Sequence, residues 1–313
     1  MRASEFAYAK INLFLDVTGK RADGFHEIKS IMQTITLADE IFIDVSGCDK
    51  TKLELSLTVS EELLAIGVNQ TSFGSDEDNL AIKAARLYLE RAGISAHVSI
   101  KLHKKIPVAA GLAGGSADAA ATLRALNEIF KSFTEEELLT LGAELGSDVP
   151  FCILGGTALC TGRGEQTVRL SYTPELDIVV AIGKKKISTP NAYSALDEAY
   201  SNFDGTVKSP GDELLKSNGN GTDASRELRE HLMPADGEES CIFNIFESSG
   251  VPELCEVDRI KNKLRSLGAA ATLMSGSGPS VFGIFNTKTE AENAALELSK
   301  LGIFASTART IRY

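Results

Sequence analysis

Apolar and polar residues alternate from 6 to 17. Ala7, Ala9, Ile11, Leu13, Leu15 and Val17 form one apolar face, and Phe6, Tyr8, Lys10, Asn12, Phe14 and Asp16 form the other. A period of two predicts a strand and sets Lys10 and Asn12 side by side on one face. Alternation recurs over 41–45 and 53–59, and the short polar stretch between them predicts a hairpin. A helix is predicted over 79–92, stopped by Gly93. Val98, Ile100 and Leu102 mark another strand. The Ala- and Leu-rich stretch 116–130 predicts a helix, and Thr134 with Glu137 forms a capping box for a helix that ends before Gly146.

After Gly164 the pattern restarts. A run over 176–182, apolar but for Asp177, predicts a buried strand. Thr189 followed by Pro190 reads as an N-cap with proline at the first helical position. The stretch 202–240 is polar and holds Gly205, Gly211, Gly219, Gly221 and Gly237, which predicts a surface excursion with short helices. A helix near 257–267, strands near 270–274 and 281–285, a helix over 290–301 and a strand near 304–310 follow. Strand, helix, strand, strand, helix, strand is the ferredoxin-like order. The expected division is therefore residues 1–164 and 165–313.

Composition narrows the function classes. The chain has 313 residues, 43% hydrophobic and 24% charged, which is ordinary globular content at a length that suggests two domains. Lys and Arg number 32 against 43 Asp and Glu, a net charge of −11. A nucleic-acid binder normally carries a basic excess, so that class is disfavoured, whereas a small anion can still be held by a few backbone N–H groups. No run of 18 apolar residues occurs, and the first residues carry Glu5 and Lys10 rather than a long apolar stretch. Cys48, Cys152, Cys160, Cys241 and Cys255 form no CxxC pair, and His26, His97, His103 and His231 are dispersed. That pattern fits reduced thiols and gives no zinc signature. The expectation is a cytoplasmic monomer or weak homodimer with a small-molecule substrate and neither nucleic acid nor membrane as partner.

The most informative segment joins the strand at 98–102 to the helix at 116–130. It reads Pro107, Val108, Ala109, Ala110, Gly111, Leu112, Ala113, Gly114, Gly115, Ser116, Ala117. A strand, a glycine-rich turn and a helix start make a phosphate cradle, because the first helical turn has free N–H groups and glycine lets the backbone approach an anion. The bland alternative is a tight turn with small residues for packing. The chain has no GxxxxGK[ST] and no GxGxxG at this turn. Two other loops share this character. One carries Ser275, Gly276, Ser277, Gly278 and Pro279 between two apolar strands, and the other carries Gly146, Ser147, Asp148, Val149 and Pro150 after a helix end.

Taken together, these loops resemble the GHMP small-molecule kinase superfamily. The resemblance rests on Ala9, Lys10, Ile11 and Asn12, on Asp23, Gly24, Phe25, His26 and Glu27, on Gly162, Arg163, Gly164 and Glu165, and on the three glycine-bearing loops. It spans nearly the whole chain except 202–240. It implies an α+β kinase of two lobes, a ribosomal S5-like N-terminal lobe and a ferredoxin-like C-terminal lobe, with the site between them. It implies ATP with Mg²⁺ held mainly by the nucleotide phosphates, and no dedicated protein metal site. ATP phosphates would sit on residues 107–117, Lys10 and Asp148 would be the catalytic pair, and a cytidine diphosphate-linked methylerythritol would be the acceptor. Phe25, His26 and Tyr193 would hold its cytidine end, and Asn12 and Thr189 its erythritol end. Three positions depart from the usual pattern: Ala113 replaces a glycine, Ala117 a serine and Phe25 a tyrosine.

The implied reaction moves the γ-phosphate of ATP to the acceptor's 2-hydroxyl, with Lys10 drawing off negative charge and Asp148 taking the hydroxyl proton. Lys184, Lys185 and Lys186 read as a solvated strand end, and Asp118 as a first-turn acid stabilising its helix. The alternatives are another GHMP kinase of homoserine or mevalonate type, and an inactive relative that binds nucleotide and regulates a partner.

Overall fold

The computed structural model describes residues 1–199 and 242–312, so the expected 202–240 excursion lies outside the described residues. A long strand, β1 (Arg2–Lys20), pairs antiparallel with β2 (His26–Gly47). β3 (Lys52–Val59) does not form the expected hairpin with β2. Instead β4 (Ala96–Lys104) lies between them, antiparallel to β2 and parallel to β3. Alternation in 53–59 specifies a half-buried strand but not its neighbour, and a parallel partner requires a crossover. That crossover is α1 (Glu61–Ala65) and α2 (Leu80–Ala92). Asn79 caps α2 through the Ala81 N–H, and Gly93 ends it with a φ of +67°.

α2 packs on α3 (Gly114–Phe130), and α4 (Glu135–Leu145) and α5 (Val149–Leu154) pack beside them. The Thr134–Glu137 capping box is present on α4. β5 (Thr157–Thr161) then pairs with β2 and with β6 (Gln166–Arg169). The boundary expected near Gly164 falls inside this β5–β6 hairpin, whose turn uses positive φ at Gly162 and Gly164. The first sheet therefore continues to Arg169, and the chain passes to the second sheet between Arg169 and Asp177.

The second sheet contains β7 (Asp177–Ile182), β9 (Ala271–Met274), β10 (Val281–Phe285) and β11 (Phe304–Arg309) in the antiparallel order β11-β7-β10-β9. Its last strand lies beside its first, the ferredoxin-like arrangement. Its helices are α6 (Thr189–Ala199), α7 (Leu254–Ser266) and α8 (Lys288–Lys300). β7 is apolar from Ile178 to Ile182 because both of its faces are covered there. Ile178, Val180 and Ile182 pack into the core of the first lobe, while Val179 and Ala181 pack with Val257, Ile260, Leu264, Ala294 and Leu298. Between them, β8 (Phe243–Asn244) pairs with β1 at Phe14 and Leu15. The two lobes thus share core and sheet edge. Among the described residues no helix is long and apolar enough to cross a membrane.

Candidate active site

A cleft of about 1110 Å³ opens where β1, the turn before α3, the start of α5, the start of α6 and the β9–β10 loop converge. Lys10, Asn12, Phe25, His26, Asp148, Thr189 and Tyr193 all line it. So do Pro107, Val108, Ala109, Ala110, Gly111, Ala113, Gly114, Gly115 and Ser116. Leu112 and Ala117 do not, because their side chains are buried in the first lobe's core. Leu112 contributes backbone only: its carbonyl accepts the Lys10 N–H at 3.2 Å, which ties the turn to β1.

The turn before α3 places Ala109, Gly111 and Ala113 at φ of +51°, +77° and +56°. Left-handed residues interleaved with others turn successive N–H groups toward one side and make an anion-binding concavity. No side chain caps α3, so its first-turn N–H groups are left for a ligand. Gly111 cannot be replaced freely, since a Cβ there would lie 2.1 Å from the Ser275 carbonyl oxygen. That contact clasps the two glycine loops. Ser275 Oγ donates to the Gly111 carbonyl at 3.0 Å, and the Ser280 N–H to the Ala110 carbonyl at 3.2 Å.

On β1, Lys10 and Asn12 are 4% and 1% exposed although they lie on the polar face of the strand. Asn12 Oδ1 accepts from Lys10 Nζ at 2.8 Å and from the Gly276 N–H at 2.9 Å, and its Nδ2 donates to Ser30 Oγ at 2.8 Å. Asn244 donates to the carbonyls of Met274 and Gly276, both at 2.8 Å, and so fixes the loop that covers Lys10. Lys10 Nζ lies 3.8 Å from Asp148 Oδ2 at the start of α5. Thr189 Oγ1 and Ser277 Oγ share a hydrogen bond of 2.8 Å across the mouth.

At the far end, His26 packs against an aromatic pair, Tyr193 and Phe246. Its ring is stacked on Tyr193 at 4.6 Å, and Tyr193 meets Phe246 edge-on. Phe25 is half exposed with the Arg163 guanidinium 5.0 Å above its ring. Burial, and then the charge of Asp148, push the Tyr193 phenol up to about 12.

Three features escaped the sequence. Asp118, expected as a first-turn acid stabilising its helix, lies beyond the first turn of α3. It is buried, and Lys104 donates to it at 2.6 Å and also to Asp39. Burial, and then the charge of Asp39, raise the Asp118 carboxyl well above the usual range against the pull of Lys104. Burial alone would lower Lys104, but Asp118 and Asp39 outweigh it and raise it. Nothing local marks Asp39. Asn244 is likewise unmarked, whereas Asp197, four residues after Tyr193 on α6, shares its helix face and was legible by spacing. Asp197 Oδ1 lies 2.7 Å from His26 Nε2, and Lys20 donates to Oδ2 at 2.5 Å. Lys184 and Lys185 lie exposed, their backbone N–H groups bound by Glu256.

Comparison with known proteins shows the family and the fold. Residues 79–156 match the GHMP kinases N terminal domain, and residues 229–303 match GHMP kinases C terminal. The chain is 40% identical to the 4-diphosphocytidyl-2-C-methyl-D-erythritol kinase of Caldicellulosiruptor bescii over 93% of this chain and 92% of that one. It is a member of the 4-diphosphocytidyl-2-C-methyl-D-erythritol kinase family. The kinase of that name from Bacillus subtilis is 41% identical over 93% of this chain and 91% of its own. A crystal structure of 4-(cytidine 5'-diphospho)-2C-methyl-D-erythritol kinase superposes with a TM-score of 0.76 at 31% identity, covering 99% of this chain and all of that one. Homoserine kinase from Cytophaga hutchinsonii, at 19% identity, a TM-score of 0.67 and coverage of 99% and 94%, shares the fold alone.

Proposed function

We propose that the protein is an ATP-dependent kinase that transfers the γ-phosphoryl group to the 2-hydroxyl of 4-diphosphocytidyl-2-C-methyl-D-erythritol, on the non-mevalonate route to isoprenoid precursors. One observation carries the chemistry: a buried ammonium and a half-buried carboxylate stand 3.8 Å apart in the cleft that the uncapped start of α3 also enters. Family membership supplies the substrate class.

In this reading the backbone of residues 107–116 cradles the ATP phosphates. Phosphoryl transfer has a loose transition state, so positioning and charge neutralisation dominate. Lys10, held by Asn12, places a fixed cation beside the transferring group. Asp148 orients the acceptor hydroxyl and takes its proton. A carboxylate is a weak base for an alcohol, but in a loose transition state the proton leaves late. Asn12 and Thr189 position the erythritol unit, while Phe25, His26 and Tyr193 form the cytidine end.

Among the described residues no cluster of three or more His, Cys, Asp or Glu is arranged to hold a metal. Magnesium bound with the nucleotide would supply charge neutralisation at the phosphates. Cleft-lining oxygens that could add to its coordination include the Ser116 hydroxyl and Asp118 Oδ1, which is buried without a hydrogen-bond partner among the described residues. Dependence on ATP and on a charged acceptor, neither of which crosses a membrane unaided, supports a cytoplasmic reaction. The test is incubation with ATP-Mg and the cytidylyl acceptor, followed by mass spectrometry. Gain of one phosphate is expected, and an unchanged acceptor mass defeats the proposal.

A further inference from the structure

The geometry points to Asp197 as the positioning residue that makes this kinase choose cytosine over uracil, by fixing which nitrogen of His26 carries the proton. The inference rests on the functional reading above and adds a residue and a chemical rule to it. Asp197 comes from α6, while His26 starts β2, so the contact joins the two lobes at the nucleoside end of the cleft. Asp197 Oδ1 meets His26 Nε2 at 2.7 Å, and Lys20 Nζ donates to Oδ2 at 2.5 Å. The hydrogen bond from Lys20, and then that from His26, hold the Asp197 carboxyl below the usual range.

An ionised carboxylate only accepts. Nε2 must therefore carry a hydrogen, and in the neutral ring Nδ1 is left as an acceptor. Stacking on Tyr193 holds the ring plane. Nδ1 takes no hydrogen bond from the described residues, so it remains for a ligand. An acceptor at this position suits the exocyclic N4 amino group of cytosine, a donor, and opposes the O4 of uracil, an acceptor. A site that pairs one group and leaves another unpaired discriminates far more strongly than shape alone.

Lys20 makes the rule testable. In Asp197→Asn, Lys20 can only donate, so the amide oxygen turns to it and the amide NH2 turns to His26. Nε2 must then accept, the proton moves to Nδ1, and the site offers a donor where cytosine also has one.

The experiment measures kcat/KM for the cytidylyl acceptor and for its uridylyl analogue, with ¹⁵N NMR of the His26 ring in the ligand-free protein. D197N is expected to lower the cytidylyl-to-uridylyl ratio by at least about tenfold, chiefly through KM, and to exchange the protonated and bare nitrogens in the spectrum. The double variant K20M/D197N frees the amide to turn its oxygen back to His26, and should return both readouts toward wild type. An unchanged ratio or an unchanged tautomer in D197N overturns the inference, as does a double variant that stays at the D197N level. If the wild-type protein fails to phosphorylate the cytidylyl acceptor, the functional reading falls instead. The NMR arm on the free protein still decides the tautomer.

Discussion

Replacing Gly111 by alanine tests the clasp between the two glycine loops. At φ +77° an alanine carries a left-handed backbone penalty of about 1–2 kcal/mol. Its Cβ would also sit 2.1 Å from the Ser275 oxygen and 3.3 Å from that of Gly278, whereas ordinary contact begins near 3.4 Å. The loops must separate by more than an ångström, which breaks the bonds from Ser275 Oγ to the Gly111 carbonyl and from the Ser280 N–H to the Ala110 carbonyl. Each is worth about 0.5–1.5 kcal/mol, so the total is about 2–5 kcal/mol. At roughly 2–4 °C per kcal/mol for a chain of this class, calorimetry should show Tm falling by roughly 4–20 °C. The same shift pulls the Gly276 N–H from Asn12, which loosens Lys10, so nucleotide affinity should fall as well. A variant that melts within about 1 °C of wild type and binds ATP normally would refute the clasp.

Asp148→Asn should lower kcat by about 10²–10⁴-fold while titration calorimetry finds both substrates still bound; a drop below tenfold would remove the proton-accepting role. Lys104→Met strands two buried carboxylates and should cost about 3–5 kcal/mol in urea unfolding, with part recovered by adding Asp118→Asn. Because the folded state raises Lys104, its contribution is present below the ordinary lysine value of about 10.4 and disappears as pH rises through the raised one. The gap between wild type and K104M should therefore narrow only in strong alkali, and a gap that widens there contradicts the assignment. Ala113→Gly removes a left-handed alanine at φ +56°. It should stabilise by up to about 1 kcal/mol after the added entropy of glycine, read as a small rise in Tm, and a fall in Tm would contradict the strain.

Much of this architecture was legible in local pattern. The capping box at Thr134, the glycine stop at Gly93 and the apolar run of β7 each follow from interactions within a few residues. The β2–β3 hairpin was misread because alternation records burial and not the partner strand. Gly164 lies in the β5–β6 turn, and a glycine-rich turn looks the same inside a hairpin as between lobes.

By itself, the sequence determined the second lobe's strand and helix order, the glycine-rich turn before α3 and the likeness to GHMP kinases, since each is written in contiguous residues whose spacing carries the physics. Tertiary structure alone decided that Lys10 and Asp148, 138 positions apart, stand at 3.8 Å. It also decided that Asp118 is buried against Lys104 and Asp39, and that Asp197 holds His26. Ion pairs and hydrogen bonds act through space over a few ångströms, and only packing of the two lobes brings such distant positions within that range.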